Sequence, residues 1–318
     1  MWQMDVCGMT DIGKVRVRNE DQFLVATLSK TLEVSHSSLE IGEDARLFGN
    51  SQGLLLLVAD GMGGHAAGDR ASEMVVSAFA DYVLNMLRWY FRADPRRDAD
   101  LAADLRDAVL RCQRSIRDEI SKHPEEQGMG ATLTLAYVIW PRMFVVHVGD
   151  SRCYVLRDGE LRQLTRDHTF AQSICDETGE VAQQAAETIP ESQWHHILWN
   201  AVGGTDDEPQ PDIFRVDLEF DDRLLLCTDG LTNHVPDADL SRRLQQDQPV
   251  CEICRQLIDD ANAAGGSDNI TAIVARCPKP RPLDANESVE AAVVDKALAD
   301  TLPYEDPRPV LSDAAGLT

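Results

Sequence analysis

The chain has 318 residues and 43% hydrophobic content, enough for a sizeable core in one large domain or two small ones. Its formal net charge of −24 argues against nucleic acid or an anionic membrane as the main partner, since both need a basic face. The 8 cysteines are scattered without a disulfide-type framework or a zinc pairing, and Cys251-x-x-Cys254 sits on an amphipathic helical pattern that reads as helix packing. The N-terminus lacks a basic region and a signal-type apolar run, and no stretch approaches the ~20 apolar residues of a membrane span. A soluble, reduced, cytoplasmic protein is the expectation.

Short strand patterns at 4–10 and 20–28 flank a charged segment holding Arg16, Glu20 and Asp21. Residues 29–53 are polar and read as a long loop with room for a short irregular strand, uncommon in a compact domain unless functional or mobile. The apolar run Leu54 to Ala59 predicts a buried central strand that ends abruptly in Asp60, followed by Gly61, Met62, Gly63 and Gly64. Helices follow: one from Ala66 to Phe91, with Val75, Val76, Phe79, Val83 and Leu87 at helical spacing, and a second carrying Leu101, Leu105, Ala108, Cys112 and Ile116 on one face. Both are half-apolar and should cover a sheet.

Four closely spaced strands are predicted at 132–139, 143–148, 153–157 and 160–164, antiparallel because no helices intervene; Arg157-Asp-Gly159 is a hairpin signal. Gly149-Asp150-Ser151-Arg152 is a tight turn among them. Residues 165–200 read as an exposed excursion beside a cleft. After a strand at 214–218, Arg223-Leu-Leu-Leu-Cys-Thr-Asp229-Gly230 repeats the apolar-strand-to-Asp-Gly pattern. Helical patterns at 237–245 and 250–263 precede Gly265-Gly-Ser-Asp268-Asn269 and a last strand, 270–277. Residues 278–318 are expected to be a mostly disordered tail.

Asp60, Asp229 and Asp268 share a setting: a strand end or start beside glycine or asparagine. Strand ends in a sheet fold can cluster, and carboxylates about 4 Å apart repel by several kcal/mol per pair at an effective dielectric near 20. Such a group persists only if protonated or filled with cations. Hard oxygens without a His/Cys set favour Mg²⁺ or Mn²⁺ over zinc. Two such ions could activate a water against phosphorus, and Arg16 could clamp a phosphate. Spacing alone leaves the bland alternative open at each position: ordinary turns and surface ion pairs.

Taken in order, Arg16-x-x-Asn-Glu-Asp21, Asp60-Gly-Met-Gly-Gly64, Gly130-Ala-Thr132, Gly149-Asp-Ser-Arg152, Thr228-Asp-Gly230 and Ser267-Asp-Asn269 resemble the bacterial branch of the metal-dependent type 2C (PPM-type) serine/threonine protein phosphatases, over roughly residues 4–277. The resemblance implies an α+β fold, a four-layer α/β/β/α sandwich with two central antiparallel sheets flanked by helices. A catalytic domain at 1–277 would carry a flap at about 169–200 and a loop insertion at about 29–53.

The roles it implies are these. Asp60 bridges two Mn²⁺ or Mg²⁺ ions, with the Gly61 carbonyl on one of them. Asp229 and Asp268 complete the metal shells, and Glu20 and Asp21 hold metal-bound waters. Asp150 helps hold a third, weaker ion, Arg16 binds the phosphate, and Asn269 supports the Asp268 turn. The implied reaction is in-line attack of a metal-bridging hydroxide on a phosphoserine or phosphothreonine ester, without a phosphoenzyme. Implied partners are phosphorylated proteins, such as signalling or secretion-system regulators, and a cognate Ser/Thr kinase; a monomer is expected. The acidic surface favours substrates with basic residues near the phosphosite.

The sequence departs from the family pattern twice. Met62 stands where some eukaryotic members carry a general-acid histidine, and the adjacent His65 reads as structural. Ser192–Asn200 diverges from the His-Pro stretch usual before the Ala-x-Gly turn. The alternative is a non-catalytic phosphoprotein-binding scaffold, but such relatives typically lose metal acids and none is lost here. A cysteine-dependent phosphatase is disfavoured, because no cysteine has an arginine at the required offset.

Overall fold

The computed structural model describes residues 4–36, 38, 46–63, 67–87, 97–173, 197–204 and 207–277. The chain divides into two compact units, Met1–Pro278 and Lys279–Thr318, and the second lies outside the described residues, as do His65 and most of the expected flap.

Twelve strands are described: β1 (Asp5–Asp11), β2 (Asp21–Glu33), β3 (Arg46–Met62), β4 (Gly130–Ala131), β5 (Leu133–Ile139), β6 (Arg142–Val148), β7 (Arg152–Arg157), β8 (Glu160–Gln163), β9 (Val202–Gly203), β10 (Asp212–Asp217), β11 (Arg223–Cys227) and β12 (Ile270–Arg276). The described α-helices are α1 (Ala67–Asn85), α2 (Asp98–Lys122), α3 (Asp229–Thr232), α4 (Asp237–Leu244) and α5 (Val250–Ala263). One sheet has the order β1-β12-β11-β7-β8; the other runs β10-β6-β5-β3-β4-β9, with β2 on β3. Every described pairing is antiparallel.

Strand periodicity explains the layering. A strand turns successive side chains to opposite faces, so a continuous apolar run must be buried on both. In β3, Leu55, Leu57 and Ala59 pack with Val75, Phe79, Leu105 and Ile116 of α1 and α2. Leu54, Leu56 and Val58 face the other way, into a core shared with Leu224 and Leu226 of β11 and Ile273 and Ala275 of β12. The outer faces of β11 and β12, with Leu225, Cys227, Ala272 and Val274, pack against Leu240 of α4 and Ile253, Leu257 and Ala261 of α5. Three apolar cores thus separate four layers: helices, sheet, sheet, helices.

Three expectations need correction. Residues 29–33 and 46–53 are strand rather than loop, and longer than the short irregular strand allowed for: β2 and β3 continue as a ladder pairing Ser29 with Gln52 and Thr31 with Phe48, with a register shift between. The sequence there mixes Leu32, Leu47 and Phe48 with polar residues and glycine, so it carries no clean alternating apolar signature to read. β3 also does not stop at Asp60; it runs on through Gly61 and Met62, which pair with Ala131 and Gly130. Finally, the cysteines are not all reduced: Cys7 on β1 and Cys251 on α5 form a disulfide across 244 residues. No spacing rule reveals a pair that only the packing of α5 on β1 brings together. Cys112, Cys153, Cys227, Cys254 and Cys277 are free and buried. Among the described residues no helix is long and apolar enough to cross a membrane.

Candidate active site

The acidic residues gather where several strands begin or end at one edge of the sandwich. Asp21 opens β2 and stands opposite Asp60 in the β2–β3 ladder. Asp229 follows β11 and Asp268 precedes β12, two strands that are neighbours with Cys227 opposite Ala272. Asp150 lies in the turn from β6 to β7, and β7 pairs with β11 through Arg152 and Cys227. The loop from β1 to β2 carries Arg16 and Glu20 to the same edge.

Glycine makes this convergence possible at two positions. A Cβ on Gly61 would stand 2.0 Å from the Gly68 carbonyl oxygen, so α1 packs its backbone directly on β3 just past Asp60. A Cβ on Gly230 would stand 1.9 Å from the Asn269 carbonyl oxygen, where the Asp229 turn meets the Asp268 turn. In both Asp-Gly pairs the glycine lets a second backbone approach the carboxylate.

Hydroxyl and amide side chains fix the acids. Asp21 Oδ2 accepts hydrogen bonds from Thr228 Oγ1 at 2.8 Å and Thr271 Oγ1 at 2.7 Å, joining the two sheets. The Asp60 backbone N–H donates to Thr132 Oγ1 at 2.8 Å, and that hydroxyl lies 2.8 Å from Ser151 Oγ beside Asp150. Ser72 of α1 donates to the Glu20 carbonyl at 2.6 Å, and the Gly61 N–H donates to the same oxygen at 3.1 Å. Arg16 Nη2 donates to Asp268 Oδ2 at 2.8 Å. The side chain of Asn269 does more than brace its own turn. Its Oδ1 accepts from the Glu20 N–H, and its Nδ2 donates to the Ile12 and Arg18 carbonyls, so it anchors the Arg16 loop.

Thr228, Thr271, Thr132, Ser72 and Gly68 went unread as supports of the site. Thr132 and Thr228 lie inside quoted motifs, but nothing in their spacing says that they meet Asp60 and Asp21. His168 is a further one: its Nδ1 accepts from the Gly149 N–H at 3.2 Å and from Asn200 Nδ2 at 2.9 Å, while Nε2 donates to Asp212 at 3.1 Å. It therefore ties the Asp150 turn to the base of the 169–200 segment, where Thr169 bridges Leu198.

The electrostatics are those of crowded carboxylates. Burial, then the charges of Asp21, Asp229, Asp150 and Asp268, hold the Asp60 carboxyl well above its ordinary range. Burial pushes Asp21 up to about 7, against the two threonine hydrogen bonds and with Asp229 and Asp268 adding to the rise. Glu20 is also raised by desolvation, which Arg16 opposes. The Arg16 guanidinium is held more firmly protonated by its hydrogen bond to Asp268.

A hard divalent cation fits this donor set. The donors are carboxylate and carbonyl oxygens, and Asp21 Oδ1 is buried without a hydrogen-bond partner. Among the described residues no three His, Cys, Asp or Glu side chains are closed around one point. The acids are gathered within Coulombic reach of one another but remain open, with Arg16 lying on Asp268.

This fold and this acidic edge define a class. The protein phosphatase 2C family model matches residues 37–274, and the chain belongs to that family. It is 38% identical over 221 residues to the serine/threonine protein phosphatase PstP of Mycobacterium tuberculosis, covering 70% of this chain and 40% of that protein. The serine/threonine phosphatase stp of Listeria monocytogenes is 34% identical over 220 residues, covering 69% of this chain and 83% of the relative. Among solved structures, the catalytic domain of PstP in complex with 2 manganese ions superposes with a TM-score of 0.65 at 33% identity, covering 87% of this chain and 99% of that one.

Proposed function

We propose that the protein hydrolyses phosphoserine and phosphothreonine esters in proteins, in a reaction dependent on Mn²⁺ or Mg²⁺, with residues 1–277 as its catalytic domain. The observation that carries this is the convergence of Asp21, Asp60, Asp229 and Asp268, from both sheets, beside one arginine. Asp60, the Gly61 carbonyl, Asp229 and Asp268 would hold two ions, Glu20 and Asp21 would orient water around them, and Asp150 would help hold a weaker third. When bound, such ions supply Lewis-acid activation of water and neutralise phosphoryl charge. Arg16 would turn from Asp268 to clamp the phosphate, a bidentate geometry suited to guanidinium. Met62 leaves the family histidine position without a titrating group, so solvent protonates the leaving oxygen.

The substrates in this reading are phosphorylated proteins made by a Ser/Thr kinase, and the protein acts as a monomer in signalling. Five buried free thiols support a reducing, cytoplasmic setting, while the Cys7–Cys251 bond weighs the other way. The excess of acidic residues favours basic flanks on the substrate; equal turnover of basic and acidic phosphopeptides would remove that point. The scaffold alternative has no missing acid to support it. Turnover of para-nitrophenyl phosphate and a phosphothreonine peptide tests the whole reading. It should require Mn²⁺, vanish with chelator, and be lost in Asp229→Ala; metal-independent turnover, or none, would contradict it.

A further inference from the structure

The loop from β1 to β2 carries two apolar side chains that the fold does not use. Val15 and Val17, on either side of Arg16, are 67% and 94% exposed. The loop is nevertheless held in place. Its Gly13 N–H donates to Asp11 Oδ1 at 2.8 Å and its Lys14 N–H to the Gly266 carbonyl at 2.8 Å. Asn269 grips the Ile12 and Arg18 carbonyls, and Asn19 Nδ2 donates to Thr10 Oγ1 at 2.8 Å. Gly13 adopts a φ of +77°, and a Cβ there would stand 2.1 Å from the Asp268 carbonyl oxygen. The backbone is thus seated on the Asp268 turn, and the two valines project from an anchored segment.

An exposed valine gains nothing from folding, since its apolar area stays in water. These two, however, flank Arg16, the cation of this loop that lies on Asp268 of the acidic site. Adjacent Cα atoms are about 3.8 Å apart, and an extended peptide advances about 3.3 Å per residue. A substrate whose phosphate rests on Arg16 therefore has its neighbouring residues within reach of Val15 and Val17. We propose that Val15 and Val17 are specificity-determining contacts that favour an apolar side chain next to the phosphoresidue of a protein substrate. This rests on the phosphatase reading above and refines its substrate class. Apolar contact contributes affinity here without touching the carboxylates or Arg16.

The test uses the full chain with Mn²⁺ and two phosphothreonine peptides that differ only in Leu or Ser at the positions flanking the phosphothreonine. Wild type should show kcat/KM about tenfold higher for the Leu-flanked peptide, the effect of burying roughly one valine-sized apolar surface. In the V15S/V17S double variant that ratio should fall to near one, with the Ser-flanked rate unchanged. A wild-type ratio near one, or a ratio preserved in the variant, overturns the inference. So does an equal loss on both peptides, which would mean that the valines only hold the loop. Absence of turnover on every peptide would overturn the phosphatase reading itself and this inference with it.

Discussion

The two Asp-Gly turns place a carboxylate at the same edge by different means. Asp60 lies inside a ladder: β3 runs through it, Asp21 is its cross-strand partner, and its N–H is bound by Thr132. Asp229 lies outside any ladder, at the first position of α3, where the chain has left β11. Its surroundings are set by the adjoining Asp268–Asn269 turn pressed on Gly230 and by Thr228 reaching Asp21. The first carboxylate is thus positioned by sheet register, which no single side chain controls. The second is positioned by a few side chains and one glycine contact. The β3 side should tolerate loss of any one neighbour, and the β11 side should not.

The largest effect should come from the acids themselves, and there the two sides should look alike. Asp60→Ala and Asp229→Ala should each lower Mn²⁺-dependent turnover on the order of 10³-fold or more, since each removes several kcal/mol of charge stabilisation at the reacting phosphate. Circular dichroism should show both variants folded. A variant retaining more than a tenth of the activity would break the symmetry.

The next effect reads the ladder side through pH. The Asp21 pKa rises from 3.8 to about 7 in the folded chain, which therefore holds more protons than the unfolded chain between those values. Metal-free protein should accordingly lose stability as pH rises from about 4 to 7, by up to about 4 kcal/mol from this group. Urea titrations in chelator should show that slope diminished in Asp21→Asn, and Mn²⁺ should stabilise more at pH 8 than at pH 5. An identical slope in wild type and Asp21→Asn would remove the burial argument.

Gly230→Ala then isolates the other side. The new Cβ would press on the Asn269 carbonyl, which is backbone and cannot rotate away, so a loss of about 3 kcal/mol is expected in denaturant unfolding. A smaller effect is expected from Asn269→Ala, which frees the Arg16 loop. The kcat/KM for phosphopeptide should fall about tenfold through a raised KM, as positioning is lost but the metal acids remain. Thr132→Val, the matching change on the β3 side, should cost less. The reverse order would contradict the contrast drawn between the two turns.

Much of this was legible in the sequence, and the reasons differ by residue. The run Leu54–Ala59 reads as a buried central strand, and two such runs ending in Asp-Gly allowed their carboxylates to cluster, while spacing alone left ordinary turns open. The amphipathic stripes of α1 and α2 required a sheet to cover. What escaped were contacts between residues remote in sequence: Thr228 and Thr271 on Asp21, 207 and 250 positions away, and Cys7 with Cys251. A threonine in a strand is common for other reasons, and only the packed sheets bring its hydroxyl to a buried carboxylate. The outer ends of β2 and β3 escaped because their few apolar residues, Leu32, Leu47 and Phe48, are broken up by polar residues and glycine and do not alternate cleanly. Asn269 was read as local support, whereas its reach to residues 12–20 depends on β1 lying beside β12.

Carboxylates from both sheets should form a single pocket for divalent ions. Anomalous scattering from crystals soaked in Mn²⁺ tests it most directly. Manganese density is expected among Asp60, Asp229 and Asp268, with Arg16 drawn off Asp268. No peak between these residues, at Mn²⁺ concentrations that support turnover, would contradict it.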